Sequence, residues 1–559
     1  MRAFPHEFEA GEKMTEDRPQ MASEQKGFLA RLSRGLIEGG RWKAVLVLLG
    51  MLTCGVYLFF RYNSKYTLVV TALVLGVLAA VLFCQRLDKG EGARHDFAFI
   101  VGLALSGLVF TFVFAPGTVP DEIYHFNSSY KYSDMILMQE VSNTSITMRA
   151  CDAEFEDAVL YHYHSDPSLT APTVNRSLYR TVVQSFALFA GDAELVQVPV
   201  DSSYAVEANL PQLKLPSALG IVLARIIGLG SVPLFYLGRL FNFAFFVILV
   251  VAAVKITPIG RNIFKVVSLL PMTLHVASSY SYDAGTIGLA FLFCALALKA
   301  MCLERKLDKR ELAALAVAAV LMAPCKVIYS FLLVILMLLP SDRFATPKSG
   351  RLYKFGVIGG IIAFVALLRI DTFAAMFVNT TSQTVSEVSS SSSPAYYSFT
   401  DLVTDPLGTV ALLARTTDAY ADFYMLSMVG AQLGWFQSTL FAPYYAALPL
   451  FFILALSSVR SPEDKEILPR APRAAFFGAF AVFYIALLVE FAIAWTTDGS
   501  FLIEGVQGRY FLPMLPLLLL ALRGRTVTLS RSIMPVLELS EIFIGLFIVL
   551  RAFAIALTL

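Results

Sequence analysis

Long stretches of apolar residues recur along the whole chain, and they constrain its fold more than any other feature. A helix that crosses a bilayer needs roughly 20 mainly apolar residues. The mean hydropathy is +0.67, and charged residues make up only 15% of the sequence, whereas soluble domains carry about 25%. A membrane β-barrel would show short alternating segments instead. The pattern therefore predicts an all-α polytopic membrane protein.

Thirteen candidate spans can be placed, so about 13 transmembrane helices are expected. They are 44–60, 67–84, 97–115, 233–254, 264–280, 284–302, 311–324, 327–340, 355–370, 441–457, 474–495, 510–522 and 535–555. The seventh and eighth are short and flank "APCK". These two segments can also form one kinked hairpin buried in the protein rather than two full crossings.

Lysine and arginine are distributed unevenly among the connections, and this distribution indicates an orientation. Basic residues cluster before the first span and in 85–95, 304–310, 342–354, 460–473 and 523–531. The long connection after the third span instead holds thirteen Asp and Glu between 116 and 210. Because cytoplasmic loops carry the excess of Lys and Arg, we expect the N-terminus in the cytoplasm. The net charge of +2 gives no indication of a nucleic-acid partner.

The spans and connections divide the chain into six regions. These are a cytoplasmic N-terminal tail (1–43), the first three membrane helices (44–115), a large extracytoplasmic loop (116–232), further membrane helices (233–370), a second extracytoplasmic loop (371–440) and the C-terminal membrane helices (441–559). Two such large outer loops need a structure or a function of their own. In the first, "SYAVEANLPQLKLPSALGIVLARIIGLG" predicts a helix along the outer membrane surface. In the second, the serine-rich segment 385–398 predicts a flexible polar stretch.

Two adjacent carboxylates and an imidazole follow the third span, in "FAPGTVPDEIYHF". Asp121 and Glu122 come directly after Pro120, and His125 lies one turn further if "DEIYHFNSSYKY" opens a helix. Pro120 suits the first turn of such a helix, whose N-terminus favours anions. An apolar surround raises the pKa of a carboxylate, which suits a general base. The three residues are therefore candidate catalytic groups, although a carboxylate at the end of a span can also be a solvated charge.

The motif "PDE..HF" at the start of the first large loop resembles the bacterial multi-pass membrane family known as domain of unknown function 2142. More broadly it is similar to the GT-C glycosyltransferases. Other stretches that fit the family are "LGRLFN" (237–242), "SLLPMTLHVASSYSYDAG" (268–285), "LMAPCKVIYS" (321–330) and "GVQGRYFLPMLPLLLL" (505–520). GT-C enzymes carry an acidic motif in the first outer loop and take sugars from polyprenyl-phosphate donors on the outer face. The resemblance implies a GT-C-like fold in the inner membrane of a bacterial cell.

The stretch "EGVQGRYFLP" supplies candidate residues for donor binding. The planar guanidinium of Arg509 suits a donor phosphate, and the adjacent Tyr510 is a candidate residue of the same phosphate site. Gly505 and Gly508 permit close approach of the backbone, and Gln507 can bind a sugar hydroxyl. The alternative is an arginine that reaches the headgroups beside an interfacial tyrosine.

Three further polar residues lie in or next to apolar runs. Lys326 is a candidate second phosphate ligand, because a charge within a membrane segment usually faces a cavity. Its alternative is a turn residue that reaches the outer headgroups. Asp283 can hold a sugar hydroxyl or orient Lys326, or it can simply cap a span. His275 is expected to be a hydrogen-bonded core histidine.

The acid-rich stretch "CDAEFEDAVLYHYH" (151–164) is the one candidate metal site. Carboxylate oxygens suit Mg²⁺ or Mn²⁺, and the same stretch can also be a solvated acidic loop. The sequence therefore leaves the need for a divalent cation open.

We expect a membrane glycosyltransferase that moves a sugar from a polyprenyl-phosphate donor to a cell-envelope glycan or lipid-linked acceptor. Asp121 is the expected general base, and Glu122 is expected to orient the acceptor or, with a cation, to neutralise the leaving phosphate. The alternative is a transporter or flippase of a lipid-linked saccharide. A scaffold whose loops bind envelope partners is a third class, and it gives no reason for the carboxylate pair.

Overall fold

The computed structural model of the chain describes residues 40–88, 96–142, 145–165, 173–199, 211–368, 396–460, 468–524, 527–529 and 532–559. Helices dominate these residues. They are α1 Gly40–Tyr62, α2 Tyr66–Leu87, α3 Phe97–Val113, α4 Glu122–Ile136, α5 Ala150–Ser165, α6 Arg176–Gln184, α7 Pro211–Ile226, α8 Ser231–Ile256, α9 Arg261–Leu269, α10 Pro271–Ala277, α11 Asp283–Cys302, α12 Lys309–Met322, α13 Val334–Met337, α14 Pro347–Leu368, α15 Phe399–Thr404, α16 Pro406–Val429, α17 Tyr444–Ser457, α18 Arg470–Trp495, α19 Leu515–Leu522 and α20 Met534–Ala556. Short 3₁₀ segments are Val327–Leu333, Ser341–Arg343, Ser438–Leu440 and Gly508–Phe511.

Seven helices of the described part are long and apolar enough to cross a membrane, and three shorter apolar helices accompany them. The chain is therefore a polytopic helical membrane protein, as predicted. Each predicted span falls on a helix or on consecutive helical pieces.

Several predicted spans are broken, and proline accounts for one break. The span 264–280 divides into α9 and α10, because Leu270 is extended just before Pro271, as the residue before a proline prefers to be. The span 510–522 is the 3₁₀ turn Gly508–Phe511 followed by α19. The pair around "APCK" is α12, then a 3₁₀ turn and α13.

The first large loop folds around a hydrophobic core of its own. Strands β1 (Ser145–Arg149) and β2 (Leu195–Pro199) pair antiparallel, with Thr147 opposite Gln197. Phe126 of α4, Phe155 of α5 and Phe235 of α8 meet beside them in a cluster separate from the main core of the bundle. The loop therefore has its own structure, and its core rests on the N-terminal end of α8.

The helix predicted along the membrane surface is present as α7, which packs against α4 and α8. One of its faces buries Lys214 and Ile221, whereas the opposite face exposes Leu215, Leu219 and Leu223. The exposed leucines are spaced four residues apart and form one apolar stripe. The buried face brings a lysine to the start of α4.

The N-terminal tail to residue 39 lies outside the described residues. So does most of the serine-rich segment 385–398.

Candidate active site

Asp121 and Glu122 are adjacent in sequence but lie in opposite environments. Asp121 precedes α4 in a left-handed conformation (φ 62°), which is uncommon outside glycine. Its side chain is 45% exposed, and its Oδ2 lies 2.7 Å from Arg509 Nη2. The predicted helix opens at Glu122, so Pro120 precedes the cap instead of occupying the first turn.

Glu122 is fully buried in an ion pair with Arg239 of α8. Its Oε1 and Oε2 accept hydrogen bonds from Arg239 Nε at 2.7 Å and Nη2 at 2.6 Å. Glu122 also accepts from the backbone amides of Gly117 and Tyr280. A buried carboxylate with this many donors is held in one position, so Glu122 fixes the start of α4 against α8.

Arg239 completes this junction on the other side. Its Nη1 donates to the carbonyl oxygens of Thr111 and Phe114, and its Nη2 donates to that of Ala115. These carbonyls lie at the end of α3, where the last carbonyl groups of a helix have no intrahelical N–H partner. The Glu122–Arg239 pair therefore joins α3, α4 and α8 where the candidate site begins.

Asn242, the other polar residue of "LGRLFN", anchors the next element. Its Nδ2 donates to the carbonyl oxygens of Ser279 at 2.7 Å and Ser281 at 3.0 Å. This contact holds the connection between α10 and α11. Tyr282 and Asp283 follow directly and face the site.

Three cations converge on two tyrosine rings beside Asp121. Lys214 and Lys326 have their Nζ atoms 5.5 Å and 5.3 Å from the ring centre of Tyr282. Lys326 Nζ is also 3.9 Å from the ring centre of Tyr510, and the guanidinium of Arg509 is 5.3 Å from the same ring. Cation–π contacts of this kind stabilise buried cations. Lys214 and Arg509 are buried, whereas Lys326 is partly buried.

Lys214 has no carboxylate within ion-pairing distance in the described part of the chain. Its Nζ lies 2.7 Å from Nδ1 of His125, which it meets as a hydrogen-bond donor to the neutral ring. Burial lowers the pKa of Lys214 well below its ordinary value. Burial also lowers the pKa of His125 well below its ordinary value, and the neighbouring Lys214 adds to this effect. A bound anion would supply the counter-charge that Lys214 lacks.

Asp283 is the second carboxylate of the cluster. It is the first residue of α11, and its Oδ2 lies 3.5 Å from Arg509 Nε, an atom that makes no hydrogen bond in the described part of the chain. Arg509 therefore lies between Asp121 and Asp283. With three cations and two carboxylates in formal charge, the cluster is one positive charge in excess.

Gln507 lies on the other side of the turn that carries Arg509. Gly508 packs so closely on α16 that an added Cβ would lie 2.2 Å from the amide nitrogen of Met428 and from the carbonyl oxygen of Tyr424. Its amide also donates to Ser427 Oγ at 3.0 Å. Glycine is therefore required there, and the close packing holds the segment from Gln507 to Arg509 against α16.

The structure brings together most of the residues singled out from sequence. We define the candidate site as Asp121, His125, Lys214, Asp283, Lys326 and Arg509, with the rings of Tyr282 and Tyr510. Glu122 lies beside it in the buried pair described above, and Gln507 faces a neighbouring cavity. His275 is a buried core residue, as expected, and its Nε2 accepts a hydrogen bond from the Gly434 amide at 3.1 Å.

Sequence reasoning missed Lys214 and gave no role to Arg239. The available signal for Lys214 was a single lysine in an otherwise apolar helical pattern, in "NLPQLKLPSALG". The signal for Arg239 was its place in a motif shared with the family, in the middle of a span, where a charge is costly.

The acidic stretch 151–164 forms most of α5, and its two buried carboxylates have protein partners. Asp152 pairs with Arg149 at 2.6 Å, and Glu156 accepts a hydrogen bond from Asn127 at 2.7 Å. Burial raises the pKa of Glu156 to about 7. The side chains of His162 and His164 lie outside the described residues, and among the described ones no three His, Cys, Asp or Glu cluster as metal ligands do.

The fold and this site define a class: a polytopic helical membrane protein whose charged side chains converge where one membrane helix gives way to a folded loop. Residues 103–518 match the family described as Predicted membrane protein (DUF2142), and the chain belongs to this family. Every residue of the candidate site lies within the matched range. No curated protein and no solved structure matches the chain.

Proposed function

We propose that the protein is an inverting membrane glycosyltransferase that uses a polyprenyl-phosphate sugar as donor. The observation that carries the proposal is the convergence of Lys214, Lys326 and Arg509 beside the partly exposed Asp121. A buried lysine without a carboxylate partner is costly unless an anion joins it. The phosphate of a lipid-linked sugar is an anion that can reach this depth, because its polyprenyl chain stays in the bilayer.

In the proposed reaction, Asp121 accepts the proton of an acceptor hydroxyl. The hydroxyl oxygen attacks the anomeric carbon while the bond from that carbon to the phosphate oxygen breaks. The leaving polyprenyl phosphate takes the negative charge, which Lys214, Lys326 and Arg509 stabilise. Attack from the face opposite the phosphate inverts the anomeric configuration. Arg509 also holds Asp121 in place, because it contacts this carboxylate directly.

Glu122 receives a different role in this scheme from the one expected from sequence. Both of its oxygens are occupied by Arg239 and backbone amides. It therefore positions Asp121 and His125 by fixing the start of α4. Whether a divalent cation such as Mg²⁺ or Mn²⁺ assists the leaving phosphate is decided by the assay below, run with and without a chelator.

The proposal includes a topology. We infer a GT-C-like arrangement with about 13 crossings in a bacterial inner membrane and a cytoplasmic N-terminus. The candidate site then lies at the outer face, next to the folded loop 116–232. The acceptor is a cell-envelope glycan or a lipid-linked saccharide, since a folded outer loop beside the site suits a polymeric substrate.

Purified protein in lipid, supplied with a panel of polyprenyl-phosphate sugars and envelope glycan acceptors, tests the proposal. We expect transfer of one sugar to an acceptor, with release of polyprenyl phosphate. An inactive wild-type protein that nevertheless moves a lipid-linked saccharide across the bilayer would contradict it.

A second group of buried charges keeps a transporter or flippase as the alternative. Lys265 of α9 lies between Asp96 at 2.9 Å and Glu538 of α20 at 3.0 Å, beside a cavity of about 420 Å³. This group is at the start of α3, whereas the candidate site is past its end. The 17 residues of α3 correspond to about 25 Å. A carrier would use charged groups at both ends of a path that runs along α3.

A flipping assay separates the two functions. Vesicles that contain the protein and a fluorescent lipid-linked saccharide report movement between leaflets through an impermeant quencher. A glycosyltransferase leaves this distribution unchanged, and a flippase equalises it.

A further inference from the structure

A small cavity with aromatic and polar walls is lined in part by residues 503–507, the segment that leads into the turn of Arg509. Its volume is about 190 Å³. It is lined by Tyr420, Phe423, Tyr424, Ile503, Glu504, Gly505, Val506 and Gln507. Pockets for drug-sized ligands occupy roughly 300–1,000 Å³, so this cavity suits a single small ring. We name it the Tyr424 cavity.

Two residues that line the cavity each carry a buried polar atom without a partner among the described residues. Tyr424 is only 5% exposed, and its hydroxyl makes no hydrogen bond within the described residues. The buried Oε1 of Gln507 is also unpaired among those residues. A buried polar group without a partner is costly, and such groups are rare in folded proteins. Their presence in one wall indicates a ligand that both donates and accepts hydrogen bonds.

The remaining wall indicates the chemical class of that ligand. Tyr420 and Phe423 contribute aromatic rings, and their ring centres lie 6.0 Å and 6.1 Å from that of Tyr424. Glu504 adds an exposed carboxylate at the rim. Flat apolar surfaces beside hydrogen-bonding groups fit a pyranose ring, which has C–H faces and hydroxyls around its edge. An anion is a poorer fit, because the only charged wall residue is acidic.

The cavity is rigidly connected to the candidate site. Gln507 lies two residues before Arg509, a chain distance of at most about 7 Å. The Ile503 amide donates to Thr416 Oγ1 at 3.0 Å, and Gly508 packs directly on α16 as described above. A sugar in the cavity would therefore lie close to Arg509, one of the three cations proposed to bind the donor phosphate.

We propose that the Tyr424 cavity binds one pyranose ring of the glycan substrate, with Tyr420 and Phe423 against its C–H face and with Tyr424 and Gln507 hydrogen-bonded to its hydroxyls. The proposal rests on the proposed function, because a sugar subsite beside a phosphate site is what glycosyl transfer requires. The ring belongs to the donor sugar or to the acceptor glycan, and the chemistry of recognition is the same for both.

Direct binding tests the cavity without any transfer assay. The full-length protein in lipid nanodiscs is titrated with methyl glucoside, methyl mannoside, methyl galactoside and methyl N-acetylglucosaminide, and binding is followed by saturation-transfer NMR. We expect at least one to bind the wild type. Tyr424→Phe removes one hydroxyl and should weaken that binding by about 2- to 10-fold. Gln507→Ala should weaken glycoside binding to a similar degree. This substitution breaks no hydrogen bond within the described protein, because the Gln507 side chain makes none there.

Tyr444→Phe is the matched control, because Tyr444 is 60% exposed at the start of α17 and does not line the cavity. The proposal is overturned if none of the four glycosides binds, or if the Tyr424, Gln507 and Tyr444 variants all bind as the wild type does. Competition identifies the source of the ring. Displacement by a polyprenyl-phosphate hexose assigns the cavity to the donor, and displacement by a soluble envelope oligosaccharide assigns it to the acceptor. Displacement by inorganic phosphate alone would place the glycoside on the cations instead and would contradict the proposal.

The two proposals can fail separately. Glycoside binding that Tyr424→Phe weakens, in a protein that transfers no sugar from any donor, retains the cavity as a sugar site and rejects the transferase. Sugar transfer by a protein whose Tyr424→Phe and Gln507→Ala variants bind glycoside and react as the wild type does rejects the cavity alone.

Discussion

The two neighbouring carboxylates at the start of α4 differ in what surrounds them, and this difference decides which of them can act as the proposed base. Asp121 is partly exposed and shares Arg509 with Asp283. Glu122 has no exposure, and both of its oxygens are bonded. A proton acceptor must reach its substrate, so only Asp121 is suited to be the base.

Glu122→Gln should destabilise the protein, because it leaves the Arg239 guanidinium buried without its counter-charge. Breaking a buried pair on one side typically costs about 3–5 kcal/mol. Thermal unfolding of the purified protein in detergent measures the effect, and Glu122→Gln combined with Arg239→Met should recover part of the loss. A Glu122→Gln protein that unfolds at the wild-type temperature would refute the positioning role.

Lys214 should make donor binding depend on pH. Because its pKa is lowered in the empty site, the ammonium loses its proton at a lower pH than an ordinary lysine does. A bound phosphodiester favours the charged form, so donor binding takes up a proton and affinity should fall as the pH rises through the lowered pKa of Lys214.

Lys214→Met should therefore weaken the binding of a polyprenyl-phosphate hexose and flatten its pH profile. A phosphodiester is the right probe, since its own charge does not change in this range. Lys348→Met, at an exposed position in the first turn of α14, is the control and should bind as the wild type does. An unchanged pH profile in Lys214→Met would show that another group controls binding.

At the scale of elements, the turn Gly508–Phe511 is the part on which both proposed substrate pockets depend. Gly508→Ala places a methyl group 2.2 Å from backbone atoms of α16, which cannot move aside as a side chain can. Overpacking of this kind typically costs about 1–3 kcal/mol. We expect a lower unfolding temperature and weaker donor binding, because Arg509 moves with the turn.

Gly359→Ala is the matched control for this substitution. Gly359 lies in the helix α14, and nothing is within 4 Å of the position that its Cβ would occupy. Alanine in a helix is more favourable than glycine, so stability should be unchanged or slightly higher. Equal effects of the two substitutions would contradict the close packing at Gly508.

Much of the element pattern was predictable from sequence, since apolar runs of membrane length identify helices directly. The breaks were less predictable. Pro271 signals the end of α9, and Pro324 and Pro513 lie beside the 3₁₀ turns before α13 and α19, but a proline alone does not predict a 3₁₀ turn. The helix α7 was recognised, but the contact of its buried Lys214 with His125 of α4 was not, because these residues lie 89 positions apart in the chain.

The residues of the candidate site were also predictable only in part. Asp121, Lys326 and Arg509 were singled out because charges at the ends of apolar runs are costly and because their motifs resemble a family. The pairing of Glu122 with Arg239 joins residues 117 positions apart. A single sequence carries no signal for such a contact, so the buried pairing of Glu122 with Arg239 could be found only from the structure.

At the scale of the whole molecule, the proposed topology puts the folded loop outside and the connection before α14 inside. Single cysteines at Met138, which is 94% exposed, and at the exposed Lys348 test this. With an impermeant maleimide on intact cells, Met138→Cys should be modified and Lys348→Cys should not. Modification of Lys348→Cys alone would reverse the orientation and the choice of an outer-face donor.

The central claim is that Asp121 is the base of a sugar transfer whose donor phosphate lies on Lys214, Lys326 and Arg509. Asp121→Asn keeps the size of the side chain but cannot accept the proton. The most direct measurement is the rate of transfer from a polyprenyl-phosphate sugar by this variant in lipid, beside its donor affinity and unfolding temperature. We predict a rate about 10²- to 10⁴-fold below the wild type, with donor binding and stability retained. Transfer by Asp121→Asn at close to the wild-type rate would contradict the claim.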